Sequence, residues 1–529
     1  MSASDKKKLR AAERAEKLTE KQLTEQKEAK KLKIMTTVFV VVLALMVCFA
    51  IFTAVTKTIE GKGIREKNTV AVTVGDHELS NAELNYFYID SVNNFLSNYG
   101  SYAYLFGLDT TKPLSEQYID EEQTTTWADD FINSAVENAK AIYALNDAAA
   151  AAGFTLSEED QKSIDSAVSN AEVYALYYYG YSTLEDYLKA MYGNGASVEG
   201  YRAYYELCYT ADAYQVAYND SLTYEDADIR EAEAENYNAY TSYSFNTYYL
   251  NVSNFDDLAA AEEAAKTLTA EDINTVEALD AAILALPVNA ESTTAASTAN
   301  TDVLFGSVSS TYSEWVTDAS RVAGETTYVP YVYTTTDENG NETSETRGYY
   351  VVMFNSSNDN NFAMSNVRHI LVAFEGGTYD STTGVTTYSE EEKLAAKVEA
   401  EELYNEWKSG KANEASFIVM ANEKSDDGDG TTGGLYEDIN PSTSFVTNFK
   451  NWALDDHQFG DTGIVESEYG YHIMFYAGDS ETTYRDYMIE NDLRSADLNE
   501  WYADLVGAVT AEILNTKYIS KDLILSTEG

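Results

Sequence analysis

The chain has 529 residues and a formal net charge of −53, and 44% of its residues are apolar. That length exceeds what one hydrophobic core supports and implies about three or four domains of ~100–200 residues. The acidity excludes nucleic acid as a partner, because the body of the protein would repel phosphates. The apolar content, with 43 tyrosines, excludes a disordered acidic chain.

Charge is uneven along the chain. Residues 1–33 hold 11 Lys/Arg and 6 Asp/Glu, a net +5 that leaves −58 on the remainder; their Lys, Glu, Ala and Leu pattern reads as a solvated helix. Ile34–Val55 follows, 22 residues without a charge, long enough at ~1.5 Å per residue to cross ~30 Å of hydrocarbon. Lys30, Lys31 and Lys33 stand before it, so the positive-inside rule places residues 1–33 in the cytoplasm and residues 56–529 outside. The expected location is the cell membrane, single-pass. A cleaved signal peptide fits less well, since its apolar region would run to ~7–15 residues. Cys48 follows the bulky Val47 where a lipidation box wants a small residue, and it reads as a buried apolar Cys. Cys208 is then the one thiol outside, which leaves no intramolecular disulfide.

Residues 56–67 form a polar tether. Val70–Val74 alternates as a strand into a Gly75-Asp76 turn, and Ser80 with Glu83 forms a capping box that opens a helix. From Trp127 to about Tyr240 helical signals dominate: Ser157 with Asp160 and Ser182 with Glu185 read as helix starts, Gly153 and Gly193 as stops, and Tyr201–Tyr218 as a helix. Residues 68–240 are therefore expected to be a largely helical module. Its tyrosines are read as core ahead of a groove for apolar segments.

Near residue 243 the texture changes. Ser242–Val252 reads as a strand, followed by a helix near Leu258–Leu268, a Ser/Thr/Ala loop at Glu291–Thr301 and a strand at Tyr349–Phe354. The order recurs: a strand at Asn366–Ala373, a helix from Ser389 with Leu394, Val398, Leu403 and Trp407 on one face, and a strand at Tyr471–Tyr476. Trp315-Val-Thr-Asp318 followed by Gly324-Glu325-Thr326 matches Trp452-Ala-Leu-Asp455 followed by Gly460-Asp461-Thr462. Gly348-Tyr349-Tyr350 likewise matches Gly470-Tyr471-His472. This is an internal repeat. Aligning Tyr248 with His369 makes both histidines of the second copy tyrosine in the first. The domains expected are a degenerate copy at 241–360, a complete copy at 361–480 and a helical tail at 481–529 packing on the helical module. The overall class is α+β.

In the second copy, Val-Arg-His-Ile-Leu-Val around His369, Ser425-Asp426-Asp427, Gly433-Gly434-Leu435, Gly-Asp-Thr-Gly-Ile-Val and Tyr469-Gly470-Tyr471-His472-Ile473 stand in order. Together they resemble the parvulin-type peptidyl-prolyl isomerases over about 115 residues. Residues 68–240 and the tail look like the helical chaperone module of the PrsA and SurA foldases. The resemblance implies a small antiparallel sheet wrapped by helices, with His369 and His472 on its floor, Asp427 completing their network, and Leu435, Phe445, Phe449 and Leu371 lining a proline slot. Tyr469 falls where the family often has a hydroxyl residue. Phosphoserine-directed members carry basic residues after the first histidine strand. Ala373, Phe374, Glu375 and Gly376 stand there instead, so no phosphate preference is implied.

The residues support such chemistry independently. Rotation about an X-Pro bond is opposed by ~18–20 kcal/mol of lost amide resonance. No bond breaks, so a catalyst needs an apolar slot for the ring and polar groups that favour the twisted amide. Neutral imidazoles tied to a carboxylate can form that polar floor. Two His and Asp427 could also ligate zinc, but no further Cys or His is nearby in sequence. Asp426-Asp427-Gly428-Asp429-Gly430 lacks the alternating ligands and terminal Glu of a calcium loop. His77 and His457 read as surface residues, and no cofactor is implied. Two functions are carried forward: a membrane-tethered isomerase assisting exported polypeptides that contain X-Pro bonds, and a non-catalytic holdase using both copies as peptide platforms. Oligomeric state is left open, a homodimer included.

Overall fold

The computed structural model describes residues 3–522 apart from 121, 337–339, 382 and 429, so Asp429 of the acidic turn lies outside the described residues. Contacts divide the chain into two units: residues 1–222 with 498–529, and residues 223–497.

The first unit begins with α1 (Ala3–Gly61) and α2 (Ile64–Asn68). The apolar run at 34–55 lies within α1, where side chains from Val41 to Phe52 are exposed, Cys48 among them and so not buried. The side chains at 34, 36–40 and 54–56 lie outside the described residues. Among the described residues, no helix is long and apolar enough to cross a membrane. The hairpin β1 (Val70–Val74) and β2 (His77–Ser80) leads through the Ser80–Glu83 capping box into α3 (Asn81–Tyr99). There follow α4 (Trp127–Ala152), α5 (Glu158–Val173), α6 (Leu184–Tyr192) and α7 (Val198–Ser221). Gly153 caps α4 in the left-handed region, where a side chain would be strained. The start of α6 sits one residue later than the sequence suggests, on Thr183 and Asp186, because it is the Thr183 hydroxyl that accepts the Asp186 N–H. Leu84, Tyr88 and Val92 of α3 pack on Phe131, Ala135 and Ala139 of α4 to form the core, and Tyr86 joins Leu184 and Leu188 in a second cluster.

The second unit opens on α8 (Asp226–Glu235) and then builds the same plan twice. In the first copy, β3 (Ser242–Asn251), α9 (Leu258–Thr267), α10 (Val276–Leu284), β4 (Thr298–Leu304), α11 (Ser313–Val316), β5 (Thr326–Thr336) and β6 (Glu342–Asn358) form an antiparallel sheet of order β4-β3-β6-β5. Part of the segment read as a loop at 291–301 is thus strand β4. In the second copy, β7 (Ala363–Ala373) is followed by a small hairpin of β8 (Thr378–Asp380) and β9 (Val385–Thr387), then α12 (Glu390–Ser409) and α13 (Glu414–Lys424). β10 (Leu435–Ile439), α14 (Thr447–Ala453), β11 (Thr462–Glu466) and β12 (Gly470–Thr483) complete a sheet of order β10-β7-β12-β11. Strand for strand, the two orders are identical.

Each sheet buries both faces. In the second copy, Ile370, Val372, Ile473 and Phe475 meet α12 and α13, while Val367, Met474 and Tyr476 meet Phe449 and Ala453 of α14. The buried stripe of α12 is Ala396, Ala400 and Trp407 with Leu403 beside it, whereas Leu394 and Val398 are exposed. Small alanines let the helix approach the sheet, and the aromatic Trp407 fills the space at its end against Phe417 and Phe475. The fully buried Arg485 holds the two copies together: its guanidinium donates to the carbonyls of Tyr237 at 2.8 Å and Asp359 at 2.9 Å and pairs with Glu233. It opens α15 (Tyr484–Gly507). Beyond it the tail is not wholly helical. β13 (Ala511–Ile513) pairs with β1 in the first unit, and Asn81 and Asn85 fix the residues that follow.

Because Trp407 is 4% exposed and meets aromatic rings on two sides, Trp407→Ala is expected to lower stability by about 3–5 kcal/mol. Urea unfolding of the full chain reads it as a lower midpoint for the transition of this domain.

Candidate functional site

The register of β7 with β12 places Leu371 opposite His472 and Met474 opposite His369. Since strand side chains alternate between faces and opposed residues share one, His369, Leu371, His472 and Met474 all project to the α14 side. The two imidazoles meet there with their Nδ1 atoms 3.1 Å apart. His369 Nε2 lies 3.0 Å from Asp427 Oδ2, and His472 Nε2 lies 2.8 Å from Ser467 Oγ. The Tyr436 hydroxyl donates to the same Asp427 oxygen at 3.0 Å.

One proton arrangement satisfies every member of this chain. Ser467 donates to His472 Nε2, His472 Nδ1–H donates to His369 Nδ1, and His369 Nε2–H donates to Asp427; these tautomers follow from the partners. Asp427 is presented by the segment Ser425–Asp427, which lies along β7 beyond the start of β10: Asp426 N–H donates to the Leu371 carbonyl at 2.9 Å, and the Ala373 N–H donates to Asp426 Oδ2 at 2.9 Å. The tight Gly-Gly turn before β10 has a separate cause. Gly434 has φ +66°, and a Cβ there would stand 2.1 Å from the His369 carbonyl oxygen, so only glycine lets β10 approach the histidine strand.

Above the imidazoles is a cavity of about 470 Å³. Phe449 meets both imidazoles edge-on, at 5.2 and 5.3 Å between ring centres, and Phe445 lies 5.0 Å from both Tyr436, edge-on, and Phe449, tilted. Leu371, Asp427 and Tyr469 also line it. Leu435 does not: it pairs with Arg368, and the two-residue period turns it to the opposite face. Its neighbour Tyr436, opposite Val367, takes that place. The hydroxyl that meets His472 belongs to Ser467, while Tyr469 is 59% exposed at the cavity rim. Sequence reasoning missed both Tyr436 and Ser467. Alternation from Arg368 would have found the first; the second depends on a turn at 467–470 that no pattern announced.

The other two histidines lie elsewhere. His77 pairs with Asp147 at 2.9 Å. His457, read as a surface residue, has a side chain only 16% exposed and packs at a tilt against Trp452, with ring centres 4.1 Å apart.

The same register corrects the repeat alignment. Gly348 and Gly470 correspond, so Tyr350 stands for His472; its partner Tyr249 then stands for Leu371, and Thr247, not Tyr248, stands for His369. Tyr248 faces the helices instead, against Asn289. In the first copy Tyr249, Tyr312, Tyr331 and Tyr350 crowd together over this floor, with ring centres 4.8–5.9 Å apart.

Burial holds both imidazoles neutral. It lowers the His369 pKa against the opposing pull of Asp427, and it lowers that of His472 to about 4, with the neighbouring His369 adding to the effect. In the unfolded chain each would take up a proton near pH 6.5. Between pH 6.5 and about 4 the unfolded chain therefore binds more protons, and stability falls as pH falls. The unfolding midpoint is expected to drop from pH 6.5 to 5, above the main carboxylate range, and His472→Gln should flatten that drop in denaturant titrations at each pH.

Residues 350–476 match the family described as PPIC-type PPIASE domain. No curated protein is significantly similar to the chain. Among solved structures, the peptidylprolyl isomerase PrsA from Bacillus anthracis is 20% identical over 28% of this chain and 59% of its own, with a TM-score of 0.17. The PrsA of Bacillus cereus is 20% identical over 31% of this chain and 57% of its own, again with a TM-score of 0.17. The chain thus spans less than two thirds of either, and at that TM-score neither likeness carries weight for fold or function. The family match encloses the whole of β7 through β11 and both histidines: the chain carries a parvulin-type peptidyl-prolyl isomerase domain.

Proposed function

We propose that the protein is a peptidyl-prolyl cis/trans isomerase that assists the folding of exported polypeptides from a membrane tether, with residues 1–33 cytoplasmic and the bulk of the chain outside. The observation that carries the reading is the neutral His369–His472 pair under an aromatic slot. Phe445, Phe449 and Tyr436 hold the pyrrolidine ring in apolar surroundings. Beside it, the fixed order of donors and acceptors from Ser467 through His472 and His369 to Asp427 presents preorganised dipoles to the peptide unit. Such dipoles cost no reorganisation as the amide twists, and they act more strongly inside a dry cavity than in water. No proton need be transferred and no bond broken. The anchor rests on the uncharged run at 34–55 and its basic flank.

A holdase activity is a second reading. It is supported by the first copy, which keeps the sheet but has Thr247 and Tyr350 at the imidazole positions. The first unit adds exposed aromatic side chains: Tyr102, Tyr104 and Phe106, and again Tyr177, Tyr178 and Tyr179. Exposed apolar patches of this kind mark interaction surfaces.

In an X-Pro peptide assay, the full chain is expected to accelerate isomerisation and His472→Ala to lose about tenfold or more in kcat/KM; no acceleration, or acceleration untouched by the substitution, contradicts the isomerase. Light scattering of an aggregating unfolded client addresses the second reading. His472→Ala should still suppress aggregation, and suppression lost together with catalysis removes the separate holdase role.

A further inference from the structure

A second cavity, of about 410 Å³, opens where the two copies within the second unit join, and it shares no lining residue with the imidazole cavity. Its size falls in the ~300–1,000 Å³ range of small-ligand pockets. The ends of β4, β3 and β6, the crossing at 358–362 into β7, the turn at Pro441-Ser442 and the first residue of α15 form its walls. The crossing is pinned. Tyr484 N–H donates to the Phe362 carbonyl at 2.8 Å and Arg485 N–H to that of Asn360 at 2.9 Å, while the buried Asn360 amide takes the Ser242 hydroxyl at 3.2 Å and donates to the Tyr240 carbonyl at 3.0 Å. Phe362 is half-buried, its ring centre 5.7 Å from that of the buried Tyr484. The pocket is therefore held in shape by bonds that none of its free groups supplies.

Those free groups are few and specific. A bulge in the pairing of β3 with β4 takes Asp302 out of the ladder at φ +49°, and the Ser244 hydroxyl accepts its N–H at 3.0 Å and donates to its Oδ1 at 3.3 Å. Bulges of this kind re-aim a side chain. Asn358 Oδ1 accepts the Asn360 N–H at 2.9 Å. Asp302 Oδ2, Asn358 Nδ2 and the Ser307 hydroxyl are left with no partner among the described residues, and all three residues line the pocket. Beside them stand the apolar Val303, Leu304, Phe362 and Pro441.

The lining has one carboxylate and no Lys, Arg or His. An anion would meet Asp302 with no cation to pair with. A metal needs more ligands, and among the described residues no group of three or more His, Cys, Asp or Glu could hold one. An apolar side chain would leave the polar groups dry and unmatched, and an added peptide strand would find the free edge of β4 broken by the bulge at Asp302. What remains is a neutral molecule with hydroxyls on one side and C–H groups on the other. A sugar ring has that form: neighbouring hydroxyls donate to a carboxylate and accept from an amide, and the C–H face rests on the negative face of an aromatic ring.

We propose that this junction pocket binds a neutral sugar ring, with Asp302 and Asn358 taking adjacent hydroxyls and Phe362 meeting the C–H face. The site is independent of the isomerase chemistry and stands or falls without it.

Saturation-transfer NMR on the full chain tests the proposal, with glucose, galactose, mannose and N-acetylglucosamine as probes. At least one is expected to bind saturably in the millimolar range. Glucuronic acid, which brings a negative charge, and sorbitol, which has hydroxyls without a ring, should bind at least about tenfold more weakly. No saturable binding by any of the four, or equal binding by glucuronic acid or sorbitol, overturns the proposal. A linear oligomer of the preferred sugar and a peptide carrying it then separate the sources: tighter binding of the first assigns a polysaccharide, and of the second a sugar borne on a polypeptide. Asp302→Asn keeps the left-handed backbone and the Ser244 contact, and Asn358→Asp keeps the bond to the Asn360 N–H, so both should leave the unfolding midpoint in place. Each should weaken binding about tenfold, and affinity unchanged in both overturns the assignment.

Discussion

The pairing of β7 with β12 is the constraint from which the rest of the isomerase domain follows. It puts Leu371 opposite His472 and Met474 opposite His369, so both imidazoles share the α14 face and can touch. A shift of one residue between them would turn one strand over, leaving one imidazole on the floor and sending the other into the helix-packed core of Trp407 and Phe417. Register is secured on both faces at once. The α12 side requires Ile370, Val372, Ile473 and Phe475, and the α14 side requires Val367 and Met474. The energy that fixes the histidines therefore comes mostly from apolar neighbours that have no part in the chemistry.

Two polar rings placed in such a core are tolerable only if every nitrogen is matched, since an orphaned buried donor or acceptor costs about 1–3 kcal/mol. The run from Ser467 through the two histidines to Asp427 leaves none unmatched. Burial that depresses both pKa values keeps the rings neutral, and neutrality is what allows one ring to donate to the other. The first copy meets the same demand differently. With Thr247 and Tyr350 in place of the imidazoles, it covers the floor with tyrosine rings, so the scaffold does not depend on the histidine pair.

Much of this was legible in the sequence because strand alternation and the Trp-Gly repeat are local signals. The Trp315 and Trp452 motifs located the two copies, and the motifs around His369 and His472 brought the pair and Asp427 into one site. What failed was register. Tyr248 was aligned with His369 and Leu435 assigned to the slot, each one residue from the side chain on the correct face. The first offset follows from the long-range pairing of Tyr249 with Tyr350, and the second from the left-handed turn at Gly433-Gly434; neither can be read from composition. Ser467 was missed because its position depends on the hairpin between β11 and β12. The α12 stripe was misassigned because the large residues Leu394 and Val398 are exposed, while the alanines carry the contact.

The polar floor requires the two imidazoles to be neutral and of opposite tautomer. Nitrogen-15 chemical shifts of the histidine side chains at pH 7 test this directly. The predicted result is His369 protonated at Nε2 and His472 protonated at Nδ1. Both rings in one tautomer, or either of them carrying two protons at that pH, would contradict the arrangement on which the proposed polar floor depends.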